Sequence, residues 1–178
     1  MKIHHRSFAA IASLASSLLI GCFLTGCSTT AVPPSLAPLS AHDVPASGRR
    51  EIAALFDRWN RSLATLDPDK VLAHYAPDAI LLPTLSNQPR TNHAELRDYF
   101  AVFLARKPQG KIDQRTIRIE GSTAWDAGIY TFTLHGVDGK VTKAQARFTF
   151  IYKRQPGGGW LIALHHSSLM PEPIVKPE

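Results

Sequence analysis

At Pro108 the hydrophobic rhythm of the chain changes, and that change dictates the architecture. Before it, Ile52, Leu55, Phe56, Trp59, Leu63 and Leu66 recur at helical spacing, which predicts an amphipathic helix from about 48 to 65. Asp67-Pro68 is an N-cap followed by proline at the first helical position, so a short second helix is predicted over 68–75. Ala79 to Leu82 reads as a short strand, and Pro83 through Arg90 as loop. Asn92 with Glu95 three residues later forms a capping box, and Leu96, Phe100, Phe103 and Leu104 line a third helix to about Lys107.

Beyond Pro108 the period becomes alternating. Ile112, Ile117 and Ile119 mark one strand, Thr123 to Leu134 a longer one, and Val137-Asp138-Gly139-Lys140 is a hairpin signal. Val141 to Lys153 then places Ala144, Ala146, Phe148, Phe150 and Tyr152 on one face. Gly157-Gly158-Gly159 turns the chain into a last strand, Trp160 to Ser168. Helices succeeded by an antiparallel meander predict an α+β domain, with three N-terminal helices packed on one face of a curved, mainly antiparallel sheet.

The ends carry different information. Lys2 and Arg6 precede an apolar or small-residue run, Phe8 to Leu24, which closes in Leu24-Thr25-Gly26-Cys27. This is the layout of a secretory leader over 1–26. The Leu-x-Gly-Cys ending resembles the lipobox of bacterial lipoproteins, in which the cysteine is acylated and becomes the new N-terminus. Leu19-Ile20-Gly21-Cys22 fits the same pattern. Cys27 is the preferred anchor because Ser28, Thr29 and Thr30 begin a polar tether, whereas cleavage at Cys22 would leave Phe23 and Leu24 exposed. Ser28 after the cysteine resembles lipoproteins sorted to the outer membrane, which places the protein in the cell envelope, on the periplasmic face of that membrane. Residues 27–47, rich in Pro, Ser and Ala, form the tether, and 172–178 a Pro-rich tail.

The 178 residues thus hold one folded domain, over 48–171. Cys22 and Cys27 are the only cysteines, so this exported domain depends on packing rather than on a disulfide. The net charge of +6 is scattered over short pairs such as Arg49-Arg50, Arg106-Lys107 and Lys153-Arg154. Without a basic stripe it excludes a nucleic-acid partner and suits solubility or anionic ligands.

The segments Asp126-Ala127-Gly128-Ile129-Tyr130, Ala146-Arg147-Phe148-Thr149-Phe150 and Trp160 through Ser168, with its His165-His166-Ser167-Ser168 end, carry a family likeness. In this order they resemble the association domain of calcium/calmodulin-dependent protein kinase II, a member of the cone-shaped superfamily of nuclear transport factor 2 and the SnoaL-like polyketide cyclases. No kinase signature accompanies them. The resemblance implies a sheet wrapped around a helix, with a pocket at the wide end. It also implies that Arg147 is a pocket arginine and that His166 stands at the position of the family's final-strand histidine. Tyr130 and Ser167 fall where the kinase domain has further arginines.

The residues themselves leave alternatives open. Arg147 lies opposite Ala146, Phe148 and Phe150, where its guanidinium is either an anion receptor or a solvated group on the outer sheet face. The consecutive His165 and His166 point to opposite faces of a strand, so one of them is either a pocket histidine able to accept or donate near neutral pH or a hydrogen-bonded strand histidine. For the same reason the pair cannot readily share a metal ion, and His74, His93 and His135 add no ligand spacing, so neither metal nor cofactor is expected. The superfamily resemblance, whose enzymes often pair an Asp with a Tyr or His in the pocket, makes Asp126 the best carboxylate candidate for a general base. It shares a strand face with Gly128 and Tyr130, and the equal alternative is a strand-entry residue bonded to nearby backbone. Trp59, Tyr75, Phe100 and Trp160 are expected as core or pocket wall.

This set supports two main functions. One is an exported, lipid-anchored domain that binds a small ligand, with a carboxylate as a candidate, through Arg147, Tyr130, His166 and His165, and that self-associates as a homodimer through its outer sheet faces. The other is a SnoaL-like isomerase or cyclase using Asp126, Tyr130 and His166. A third, a structural adaptor for another envelope protein, uses the sheet surface. The leader predicts that mass spectrometry of the mature N-terminus will find an acylated Cys27; an unmodified Cys27, or a chain beginning elsewhere, overturns the assignment.

Overall fold

The structure, a computed structural model, describes residues 45–84 and 86–171. The leader, Cys22, Cys27, nearly all of the tether and the tail over 172–178 lie outside the described residues.

Helix α1 spans Ala46–Leu63 and buries Ile52, Leu55, Phe56, Trp59, Ser62 and Leu63, the apolar stripe expected of it. It begins just inside the segment assigned to the tether. Helix α2, Pro68–Leu72, is capped by the Asp67 side chain, which accepts from the Asp69 N–H at 3.0 Å. It ends before residue 75 because the sheet claims the next residues: the Ile162 N–H donates to the His74 carbonyl at 2.8 Å, and Tyr75 opens strand β1, Tyr75–Leu82. Helix α3, His93–Leu104, starts with Asn92 accepting from the Glu95 N–H (3.0 Å), while the Glu95 carboxylate reaches back to the Thr91 N–H (2.8 Å). That is the reciprocal cap predicted, shifted by one residue on the return bond.

Strands β2 (Gln109–Glu120), β3 (Thr123–His135), β4 (Val141–Arg154) and β5 (Trp160–Leu169) complete a five-stranded sheet of order β1-β5-β4-β3-β2. β1 runs parallel to β5; every other pair is antiparallel. The β3–β4 turn closes through Gly139 at φ +78°, a conformation open to glycine at no steric cost. One sheet face is filled by aromatic rings packed on α1. Trp59 meets Phe150 edge-on at 5.3 Å, Phe56 lies 6.3 Å from Phe148, and Tyr130 stacks on Phe148 at 4.9 Å. The α+β class and the helices-on-one-face arrangement are therefore as the sequence predicts.

Two bulges reset the alternation. Between β4 and β5, Ile151 pairs with Leu164 and Tyr152 with Ile162, so Ala163 is the extra residue. Between β2 and β3, Ile112 pairs with Tyr130 and Gln114 with Ile129, so Asp113 is extra. The Asp113 carboxylate accepts from Thr131 Oγ1 at 2.6 Å and Gln145 Nε2 at 3.2 Å, which fixes the bulge from the outer face. A bulge moves every later side chain to the other face of its strand.

Gly128 sits beside the second bulge, and a Cβ there would lie 2.0 Å from the Gln114 carbonyl oxygen. Gly128→Ala is expected to lower stability by about 3 kcal/mol in urea denaturation, whereas Gly157→Ala, whose Cβ meets open space, should stay within about 0.5 kcal/mol of the parent. Equal midpoints for the two variants would contradict the close approach.

Candidate functional site: an apolar cavity with a hydrogen-bonding floor

The aromatic face of the sheet does not close completely on the helices. Between α3, the 83–90 loop and the inner faces of β3, β4 and β5 lies a cavity of about 540 Å³. Its walls are Trp59, Tyr99, Phe100, Phe103, Phe132 and Leu134 among others, and its polar groups gather in two places. This is the size and composition of a small-molecule pocket.

The floor is organised by a buried chain of hydrogen bonds. Trp59 Nε1–H donates to the Tyr75 hydroxyl at 3.1 Å, and the same hydroxyl lies 2.9 Å from His165 Nδ1. An indole only donates, so the Tyr75 oxygen accepts from it and gives its own proton to Nδ1. The imidazole proton then resides on Nε2, which is buried and has no hydrogen-bond partner among the described residues. Burial pushes the His165 pKa down to about 3, with the neighbouring His166 acting in the same direction, so the ring is neutral at physiological pH. The Tyr75 phenol is raised well above its ordinary value by burial. Beside His165, Tyr130 donates to Ser167 Oγ at 2.6 Å, and Ser167 Oγ contacts Thr84 Oγ1. Burial raises the Tyr130 phenol too. The floor is thus a set of fixed, uncharged hydroxyl and imidazole groups.

The mouth is different. The exposed Asp98 and Val102 mark it with Ser86, and Arg90 and Arg106 line the cavity from the two ends of α3. Ser86 Oγ and the Gln88 carbonyl accept from the Arg90 guanidinium at 3.2 and 2.7 Å, and it lies 6.0 Å above the Tyr99 ring.

Of the candidate ligand-binding and catalytic residues Arg147, Tyr130, His165, His166 and Asp126, only Tyr130 and His165 reach this cavity. His166 does not. Ile162 is buried, and strict alternation from it would bring Leu164 and His166 inward; the extra residue Ala163 reverses the phase, so that His165 and Ser167 are buried instead. Cross-strand from His166 is Thr149, on the outer face. Arg147 is on that face as well. It is exposed, pairs across the sheet with Ile129 and Ser168, and donates to the Leu169 carbonyl at 3.3 Å. The expectation that Arg147, Tyr130 and His166 line one pocket is therefore corrected: the inner face of β4 is the apolar one, Ala146, Phe148 and Phe150, and the arginine opposite it points to solvent.

Asp126 is inward but elsewhere. It is completely buried and held by Arg115 in a two-pronged bond, Oδ1–Nε at 3.1 Å and Oδ2–Nη2 at 2.7 Å, away from the cavity walls. Burial pushes its carboxyl up while Arg115 pulls it back. A carboxylate with both oxygens engaged by one guanidinium is a structural ion pair, not a free general base, which corrects the proposed Asp126, Tyr130 and His166 set. Trp59 and Phe100 are pocket wall as expected; Tyr75 lies behind His165, and Trp160 is occupied at the other end of the sheet with Glu51 and Arg154. Thr84, Arg90 and Arg106 were invisible as site residues, for the loop and the end of α3 carry no pattern that marks them.

The neutral His165 has a consequence for acid stability. Below about pH 6.5 the unfolded chain takes up a proton on this histidine, while the folded chain does so only near pH 3. The unfolded state binds more protons across that window, so stability falls as pH falls through it. Lowering the pH from 7 to 5 should cost about 2 kcal/mol from this group. The His165→Phe variant should lose that part of the acid sensitivity in urea titrations at the two pH values; identical acid losses in variant and parent would refute the buried neutral imidazole.

Residues 48–171 match the calcium/calmodulin dependent protein kinase II association domain family. A crystal structure from Xanthomonas campestris, of a candidate member of that family, is 52% identical, with 69% of this chain and 88% of that chain covered at a TM-score of 0.67. A candidate aromatic ring hydroxylase from Novosphingobium aromaticivorans shares the fold at 24% identity (72% and 93% covered, TM-score 0.64). So does a nuclear transport factor 2-like protein from Salmonella enterica serovar Typhimurium, at 17% identity (76% and 100% covered, TM-score 0.64). No curated protein sequence matches the chain. With the match spanning the whole described domain, the chain belongs to the calcium/calmodulin-dependent protein kinase II association domain family, on the fold of nuclear transport factor 2.

Proposed function

We propose that the domain is a receptor for a small, largely apolar molecule, exported and held at the periplasmic face of the outer membrane by acylated Cys27. The observation that carries this reading is the cavity itself: about 540 Å³ of mostly aromatic and aliphatic wall, with its interior polar groups held neutral. Non-catalytic binding is favoured by the same chemistry. A general base must ionise or accept a proton near the working pH. Here the inner carboxylate Asp126 is locked to Arg115, and the histidine at the floor resists protonation down to about pH 3.

Self-association belongs to the proposal. The outer face of the sheet carries Trp125, Ile129, Ile151 and Leu164, all only partly buried, on a surface that no helix among the described residues covers. Pairing of two such faces about a two-fold axis would cover them. The leader and tether bring the domain to a membrane surface, where two-dimensional confinement favours such pairing.

The neutral fluorescent naphthalene N-phenyl-1-naphthylamine is a suitable probe of the cavity. The chain beginning at Ser28 should bind it with enhanced emission, and Ala144→Trp, which fills the cavity from β4, should weaken binding by about tenfold or more, equivalent to about 1.4 kcal/mol, with the melting temperature retained. Binding unaffected by the tryptophan, or no binding by the parent, would remove the receptor reading. Light scattering on the same chain should give a dimer; a monomer at high concentration would remove the self-association.

A further inference from the structure

The polarity of the cavity runs in one direction, and this specifies how a ligand must be arranged. The floor has a buried imidazole nitrogen with no hydrogen-bond partner among the described residues and a hydroxyl chain, with no positive charge. An anion placed there would lose its water and gain no countercharge. The mouth has the opposite character. Two arginines line the cavity, one from each end of α3, with one carboxylate, and among the described residues Asp98 forms an ion pair with neither arginine. Arg90 is already fixed in place by Ser86, Gln88 and the Tyr99 ring, so its charge is pre-positioned. Arg106 is partly buried, and its guanidinium has no side-chain hydrogen bond or ion pair among the described residues, so all of its donors are available. Between floor and mouth the walls are rings: Trp59, Tyr99, Phe100, Phe103, Tyr130 and Phe132.

We infer that the cavity takes a flat aromatic or alicyclic acid, with its ring system among these side chains and its single anionic group at the mouth beside Arg106. The inference rests on the receptor reading and adds the class and the orientation of the ligand. It differs from the expectation raised by Arg147, since the anion is met by the residue just beyond α3, not by the sheet.

The test compares two dyes of one skeleton on the chain beginning at Ser28. These are N-phenyl-1-naphthylamine, which is neutral, and 1-anilinonaphthalene-8-sulfonate, which adds one anionic group. The parent should bind the sulfonate about five- to tenfold more tightly, and 0.5 M salt should narrow the gap, because a partly exposed charge contact is screened. Arg106→Gln should weaken the sulfonate by a similar factor and leave the neutral dye within about twofold. Arg106→Lys should recover part of the loss, since an ammonium keeps the charge but not the planar fork. Ala144→Trp should weaken both by about tenfold or more, which separates cavity binding from dye adsorbed elsewhere. Neutral and anionic dyes bound equally by the parent, or weakened equally by Arg106→Gln, would overturn the orientation while leaving the receptor reading intact. Failure of both dyes to bind would overturn the receptor reading, and this inference with it.

Discussion

Everything in the domain turns on the hydrogen bonds from Trp59 through Tyr75 to His165. They join α1, the first residue of β1 and the middle of β5, three elements far apart in sequence. Each group is buried, and each would be costly to bury alone. Together they satisfy one another except for a single imidazole nitrogen. The aromatic core closes around this chain: Phe150 stacks on His165 at 4.1 Å, and Trp59 meets the same imidazole edge-on at 5.3 Å. The polar chain thus ties the helix to both strands that form the parallel edge of the sheet, and the rings fill what remains.

A second polar device acts at the other end of the inner face. Arg115 lies 5.6 Å above the Phe56 ring and closes on Asp126, so a buried carboxylate and a partly buried guanidinium neutralise each other beneath α1. Removing one partner alone would leave an uncompensated charge inside, which is why the pair is interpretable as structure and not as chemistry. The two devices divide the inner face. One end is sealed by the ion pair and the other is left open as the cavity.

Much of this was legible in the residues. The change of period at Pro108, the caps at Asp67 and Asn92 and the alternation of Phe148, Phe150 and Tyr152 are local signals, and local structure obeys them. The site was less legible because it depends on strand phase. Nothing in Trp160 through Ser168 marks Ala163 as an extra residue, yet it decides which histidine is inside. A comparable signal was present on β2, where Ile112 and Ile117 are five apart and can share a face only across a bulge. Arg147 shows a different failure. Its own strand, with Ala146, Phe148 and Phe150 on the apolar side, already placed it outward, and the family resemblance outweighed that local pattern. Residues from the 83–90 loop and the end of α3 enter the site through tertiary placement alone.

The two ends of the cavity also differ in what they can tolerate over evolutionary time. The floor is built from groups on which the fold itself relies, so substitutions there are felt by the whole domain. Asp98, Val102 and Arg106 lie four residues apart along the accessible side of α3 and its terminus, and carry none of the core. Exposed positions of this kind change at little thermodynamic cost. A lineage can therefore alter what its receptor admits by drifting at the rim, while the interior that makes the receptor possible is kept.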